Sequence, residues 1–420
     1  MAALAARGYL ADGRLTVPVF GLYSGYKNQV SIELTKQTGD PTSLEIEIQT
    51  DDYVDPTGTY ANPTVLTRRA PGSSLGFNFM YLKSNLGAPV IIDTDGYIRW
   101  AGTGVSSAVS SAIVGDTFVI GNQTLPTVYK LRLDGTITQS DLPTDGYVDF
   151  DHDIARGKVG LLAEVDTMGE GVENIESNVI ELQDQTSPAI LNRWDLGSIL
   201  TAYMSSQGDD AAAFVRPGVD WFHSNSVIYD PSDNSVIVSS RENFVIKLDY
   251  QTGAIEWILG DPTKYWYTFP SLRAKALTLA PGGLYPVGQH GLSITSDGLL
   301  MLFNDGLGSL NEPAGEPAGI SRTYSAVSAY SIDPSTMTAE EAWRYDAGQM
   351  IYSQICSSAY EASEKSILVD YAVADDETKA LLVGLDANHN VVFEFEYPTN
   401  GCGTSWNARP IALDDLNIER

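Results

Sequence analysis

One unit recurs six times along this chain: a short apolar strand, a turn built on Asp or Asn with Gly, Ser or Thr, and a second strand that often carries Trp or Phe. It spans Val90–Trp100 around Asp93-Thr94-Asp95-Gly96, Tyr129–Ile137 around Asp134-Gly135 and, more loosely, Val179–Trp194. It returns at Ile246–Trp257, at Ala329–Trp343 around Asp333-Pro334, and at Leu385–Phe395 around Asp386-Ala387-Asn388-His389-Asn390. One such hairpin cannot bury its apolar face alone, so repeated copies must stack on one another. The turn residues are those that tolerate positive φ. Six copies predict an all-β fold, a six-bladed β-propeller in which each copy is the outer hairpin of a blade. The copies are unevenly spaced, so large loops are inserted, best placed at Gly208–Gly218 and Pro262–Pro286. Such loops rim one face of a propeller and usually carry function. Thr336–Trp343 reads as one or two turns of helix inside a blade.

Ahead of the first copy, from about Arg7 to Ile48, alternation is strong, as in Val30-Ser31-Ile32-Glu33-Leu34 and Leu44-Glu45-Ile46-Glu47-Ile48. That predicts a small antiparallel sheet apart from the propeller, with Asp51–Thr64 as linker. The expected division is an N-terminal antiparallel β-domain over 1–55 and the propeller over 56–420. The 420 residues suffice for a large core, and 38 glycines with 20 prolines suit a turn-rich chain. A formal net charge of −29 argues against nucleic acid or an anionic membrane as partner. The simpler reading of that charge is acidic residues coating the turns. Of the two cysteines, Cys356 sits in an apolar-polar strand pattern and reads as a free core thiol, although a distant pair with Cys402 is open. Met1–Gly8 lacks the basic start and apolar run of a signal peptide. No apolar stretch reaches the roughly eighteen residues of a membrane-spanning helix.

There are four histidines. A propeller gathers its inner strands about one axis, so His152, His223 and His290 can converge on one pocket. There they could bind an oxyanion, orient a phenol or shuttle a proton. Each could equally be a buried, hydrogen-bonded structural residue. His389 lies in a turn and reads as exposed. Metal binding is the competing use of three histidines, but no ligands stand at short spacing, and neither a metal nor a cofactor is expected. Calcium at Asp230–Asp233 or Asp93–Asp95 competes with an ordinary hairpin turn.

Asp220-Trp221-Phe222-His223-Ser224-Asn225-Ser226, running into Tyr229-Asp230-Pro231-Ser232-Asp233 and Ser239-Ser240-Arg241, resembles the signature of the bacterial aryl-sulfate sulfotransferases. Those enzymes take a phenolic sulfate, rather than a nucleotide sulfate, as donor. Asp151-His152-Asp153-Ile154 and Gln289-His290-Gly291, followed by Asp297-Gly298 and Phe303-Asn304-Asp305-Gly306, are similar to further motifs of the family. Leu15–Asn28 is similar to its N-terminal β-domain. The resemblance runs from about Leu15 to Pro398. It implies a ping-pong reaction in which a histidine takes the sulfuryl group from an aryl sulfate and passes it to a phenol. It also implies an exported protein with a cleaved leader, which the start of this chain does not show.

Carried over by position, the resemblance makes His223 and His290 the catalytic candidates. His152, Asn225, Arg241 and Arg322 become candidates for substrate binding. Two departures stand out. The family's nucleophile belongs on a strand after Tyr352–Ser358, which falls near Ser366–Asp376 and has no histidine. The family's arginine follows the turn matched by Asn304–Gly308, where Ser309 stands; Arg322 or Arg241 would have to replace it. Two functions are therefore expected in competition. One is sulfuryl transfer from an aryl sulfate to a phenol, weakened by these losses. The other is a non-catalytic binding or structural propeller in a larger assembly, a homo-oligomer or a virion appendage touching host-surface glycan or protein.

Overall fold

The computed structural model describes residues 10–16, 19–34, 40–143, 146–168, 175–183 and 188–412. Six antiparallel sheets radiate from one axis. The first blade runs outward from Asn407–Ile411 through Phe79–Lys83 and Val90–Asp93 to Ile98–Ala101. Four strands between Ser111 and Asp141 form the second blade, and four between Tyr147 and Asp195 the third. The fourth holds Ser224–Asp230, Ser235–Ser240, Val245–Asp249 and Ile255–Leu259. The fifth has His290–Ile294 innermost and Thr338–Tyr345 fourth, with the short strand Thr278–Leu279 added in parallel at its edge. The sixth runs from Ser358–Glu361 to Val391–Pro398, with Thr64–Thr67 added at its edge. Each of the six sequence units lands on the third and fourth strands of its own blade.

The chain closes the ring by giving its last described strand, Asn407–Ile411, to the blade that holds its first propeller strands. Each axial strand is paired on one side only, and its short inner edge is sheltered around the axis. Alternation drives the packing: along Val391–Pro398, Phe393, Phe395 and Tyr397 are buried and the residues between them are not. Apolar clusters fill the spaces between neighbouring blades, with Trp194, Trp221, Trp257 and Trp266 fully buried. Each such side chain contributes about 1.5–3 kcal/mol. The Asp turns satisfy themselves. Asp93 Oδ1 accepts from the backbone N–H of Asp95 and Tyr97, both at 3.0 Å, while Gly96 takes φ 84°. Asp230 and Asp233, weighed above as calcium ligands, both accept from Lys247 Nζ, at 2.9 and 2.6 Å.

Three expectations need correction. Cys356 is no free thiol: it is bonded to Cys402, with the Cα atoms 6.4 Å apart. It lies in a left-handed turn (φ 60°) ahead of its strand, and Ser357 N–H to Trp406 O lays that turn against the loop carrying Cys402. Thr336–Trp343 is not helical; Thr338–Tyr345 is the outer strand of the fifth blade, paired with Val327–Asp333. His389 does take the turn, at φ 62°, yet it is half-buried because its ring packs on Trp343, 4.4 Å between centroids. One helix, Leu196–Gln207, enters the insertion between the third and fourth blades. Asp195 Oδ1 caps it by accepting from Ser198 N–H at 3.0 Å, Leu196, Leu200 and Met204 bury one face, and Gly208 (φ 90°) ends it. That i, i+4 pattern was legible in the sequence.

The small sheet at the N-terminus pairs Lys27–Leu34 with Thr42–Gln49. It is pinned to the first blade by Arg99, whose guanidinium lies 3.6 Å from the Tyr23 ring centroid and whose Nε donates to Gly21 O at 2.9 Å. Within the stretch read as linker, Tyr60 is buried and its hydroxyl donates to Thr404 O at 2.5 Å. None of the described helices is long and apolar enough to cross a membrane.

Candidate functional site

Three innermost strands bring the site together. In Tyr147–Arg156 the register slips between Phe150 and Ile154, so Asp151, His152 and Asp153 leave strict alternation and are all buried. His223 precedes Ser224–Asp230 with φ 51°, a left-handed backbone that a non-glycine residue keeps only when its surroundings impose it. Here Arg241 N–H donates to His223 O at 2.9 Å and fixes it. His290 opens the fifth blade between Gly288 (φ 65°) and Gly291 (φ 62°).

The His152 and His223 rings lie 4.9 Å apart between centroids, and Trp406 packs on the other side of His152 at 4.6 Å. His290 senses the charge of both Arg241 and His223. The three histidines thus share one electrostatic neighbourhood at the axis. Each has Nδ1 against oxygen. His223 Nδ1 donates to Asp220 Oδ2 at 2.5 Å and lies 2.8 Å from Glu176 Oε2. His290 Nδ1 donates to Gly288 O at 2.9 Å and lies 2.8 Å from Asp305 Oδ2. His152 Nδ1 lies beside Asp151 Oδ1 and 3.6 Å from Glu176 Oε2. An imidazole that donates from Nδ1 keeps its lone pair on Nε2 when neutral.

Charge separates the three. Burial pushes the His152 pKa down to about 3, although Glu176 opposes it. Burial, and then the Arg241 charge, holds His290 well below the ordinary imidazole value. His223 goes the other way: burial disfavours its charge, but Glu176 and Asp220 more than offset this and hold it well above that value. The same residues crowd carboxylates together. Burial and Glu176 raise Asp151 well above the usual range and Asp166 to about 9.

Asn225 is buried, and its amide nitrogen donates to Gln289 O at 2.8 Å. Arg241 is buried too; Nη1 donates to Glu242 Oε1 at 2.6 Å, and Nη2 has no partner among the described residues. Arg322 Nη2 donates to Asn304 Oδ1 at 2.5 Å and its Nε is likewise buried and unpartnered. Ser309 turns its hydroxyl to Glu242, whose Oε2 also accepts from Leu310 and Asn311 N–H at 2.7 and 3.0 Å. On the sixth blade, Ile367–Val373 presents buried Asp370 and Tyr371 and no histidine. Beneath the histidines, Asp153 joins four blades: it accepts from Lys83 Nζ at 2.6 Å, Arg409 Nη2 at 3.0 Å and Ser226 Oγ at 3.3 Å, and Ser226 Oγ accepts from Leu292 N–H.

Asp151, Asp220 and Asp305 were inside the motifs quoted from the sequence, and their role as imidazole partners follows only from the fold. Glu176, Asp166 and Trp406 carried no signal. The donor atoms of His152, Glu176 and His223, and those of Asp151, Asp166 and Glu176, form two groups within 4.8 Å, sharing Glu176. Sequence spacing conceals this, because the five residues come from three strands and a turn.

Comparison with known proteins fits the geometry. A family profile described as arylsulfotransferase (ASST) matches residues 65–407, and one described as the arylsulfotransferase Ig-like domain matches 6–51. The arylsulfate sulfotransferase AssT of Escherichia coli O6:H1 (strain CFT073) is 29% identical over 224 residues, which is 47% of this chain and 36% of that one. Its namesake from Lelliottia amnigena is 29% identical over 155 residues, 33% of this chain and 25% of that one. The match thus spans about a third or less of each relative's length. A europium-containing methanol dehydrogenase superposes with a TM-score of 0.39 and 10% identity over 87% of this chain and 76% of that one, a likeness too weak to add to the fold.

Proposed function

The chain belongs to the arylsulfotransferase family, and from that premise we propose that its axial site binds aryl sulfate esters and passes the sulfuryl group to a phenol through His290. The observation that carries this is the pairing of a neutral, oriented imidazole with buried cationic donors that lack partners. His290 donates from Nδ1 to Gly288 O, which leaves the Nε2 lone pair as the nucleophile. Arg241 Nη2 and Arg322 Nε are unpartnered N–H groups, suited to sulfuryl oxygens. His223, held cationic by Glu176 and Asp220, adds a third positive charge.

In the first half-reaction Nε2 attacks sulfur, the S–O bond to the aryl group breaks, and the phenolate leaves with the electron pair. In the second, a phenol oxygen attacks the sulfohistidine, its proton passes to the site, and His290 is regenerated. The substrate, the ping-pong route and an exported location are expectations that family membership supports. With no histidine on Ile367–Val373, turnover is expected to be slow. The virion-appendage alternative gains no support from the comparisons.

The test is 4-nitrophenyl sulfate with phenol as acceptor, followed by peptide mass spectrometry. A phenolate burst with sulfation at His290, absent in His290→Ala, is expected. A silent chain that still binds the ester would favour the non-catalytic binding reading, and sulfation at His223 would move the nucleophile there.

A further inference from the structure

Around His223, which the reaction above uses only as a positive charge, lie carboxylates and a second histidine to which that reaction gives no direct part. Glu176 Oε2 is 2.8 Å from His223 Nδ1 and 3.6 Å from His152 Nδ1, buried between them without a well-aligned hydrogen bond among the described residues. Asp151 Oδ2, Asp166 Oδ1 and His152 Nδ1 are also buried without hydrogen-bond partners. His152 and Asp151 are more than nine-tenths buried. Carboxylate oxygens and imidazole nitrogens gathered within 4.8 Å of one another can close on one ion as ligands at about 2.1 Å. Buried donors in this state are otherwise costly.

We propose that His152, His223 and Glu176, completed by Asp151 and Asp166, form a binding site for one divalent transition-metal ion of the zinc or manganese class. The two nitrogens decide the class: calcium and magnesium prefer all-oxygen shells, whereas imidazole with carboxylate suits zinc, manganese and iron. Binding expels the proton that His223 Nδ1 now gives to Asp220. Coordination through Nδ1 also turns each Nε2 into an N–H donor at the axis. The site shares His223 with the transferase reading, a bound cation taking over the imidazolium charge there, and ion uptake is measured with no sulfate ester present, so the two readings fail independently.

The experiment uses the full chain stripped with chelator and returned to physiological salt, where the −29 charge is screened. Mn²⁺ is titrated and followed by loss of the free-ion electron paramagnetic resonance signal, and Zn²⁺ by displacement of bound Mn²⁺. One tight equivalent is expected, with nitrogen coupling in the pulsed spectrum and a raised unfolding temperature. Glu176→Gln should weaken uptake at least about tenfold, as losses at metal sites commonly do. Asp166→Asn serves as a second variant if the first fails to fold. An unchanged free-ion signal, many weak equivalents, displacement by equimolar Ca²⁺, or uptake indifferent to both substitutions would each overturn the assignment.

Discussion

Removing the Cys356–Cys402 bond tests how the ring is held shut. The two residues are 46 apart in sequence, and the loop they close contains the sixth blade's four strands from Ser358–Glu361 to Val391–Pro398, up to the turn before the closing strand. Chain-entropy reasoning gives −2.1 − 1.5R ln n cal/mol/K, which for n of 46 is about −13.5 cal/mol/K, or about 4 kcal/mol at room temperature. An unfolding entropy of about 2.1 cal/mol/K per residue over 420 residues converts this to a fall of about 4–5 °C in unfolding temperature. The perturbation is Cys356→Ser with Cys402→Ser, read by calorimetry with and without reductant. Parent protein in reductant should match the double variant, and the variant should ignore reductant. Trp406 follows Cys402 closely and packs on His152, so the loosened loop should also raise KM for any axial ligand. A double variant melting within about 1 °C of the parent would refute the reasoning, because the bond would then constrain nothing that folding does not already constrain.

Gly291→Ala should cost about 1–3 kcal/mol and displace His290, since φ is +62° and the new Cβ would meet Ser358 Cβ at 3.0 Å; chemical denaturation and ester binding read the two effects. Lys83→Met should destabilise by about 3 kcal/mol, the low end for breaking a buried pair, because Arg409 still holds Asp153; a loss under about 1 kcal/mol in urea unfolding would contradict it. Burial pushes Asp370 up to about 7, against the donated Ser405 hydroxyl. Its folded pKa exceeds the unfolded value of about 3.9, so the native state holds the extra proton and stability falls as pH rises from about 4 to 7. Asp370→Asn should therefore melt higher than the parent at pH 8, with the gain gone near pH 4; a gain that is equal at both would show that Asp370 stays ionised.

The architecture was legible in the repeated strand pattern. Alternating strands joined by Asp or Asn turns read as hairpins, and six copies of a hairpin that cannot bury its own face must stack on one another, as the blades of a propeller do. The N-terminal sheet followed from the same period of two. The motifs also marked His152, His223 and His290 as residues that could converge on the axis, where His152 and His290 lie on innermost strands and His223 just ahead of one. What the sequence left open depends on distance between strands, which no local pattern encodes. Glu176 reads as one more acidic residue in an alternating strand until the third blade turns it toward His152 and His223. Cys356 reads as a core thiol until its turn meets the loop before Trp406. The charges of the three imidazoles follow the same rule. Against burial, Glu176 and Asp220 raise the His223 pKa, whereas burial and then the Arg241 charge lower that of His290, and only the closed ring sets those neighbours.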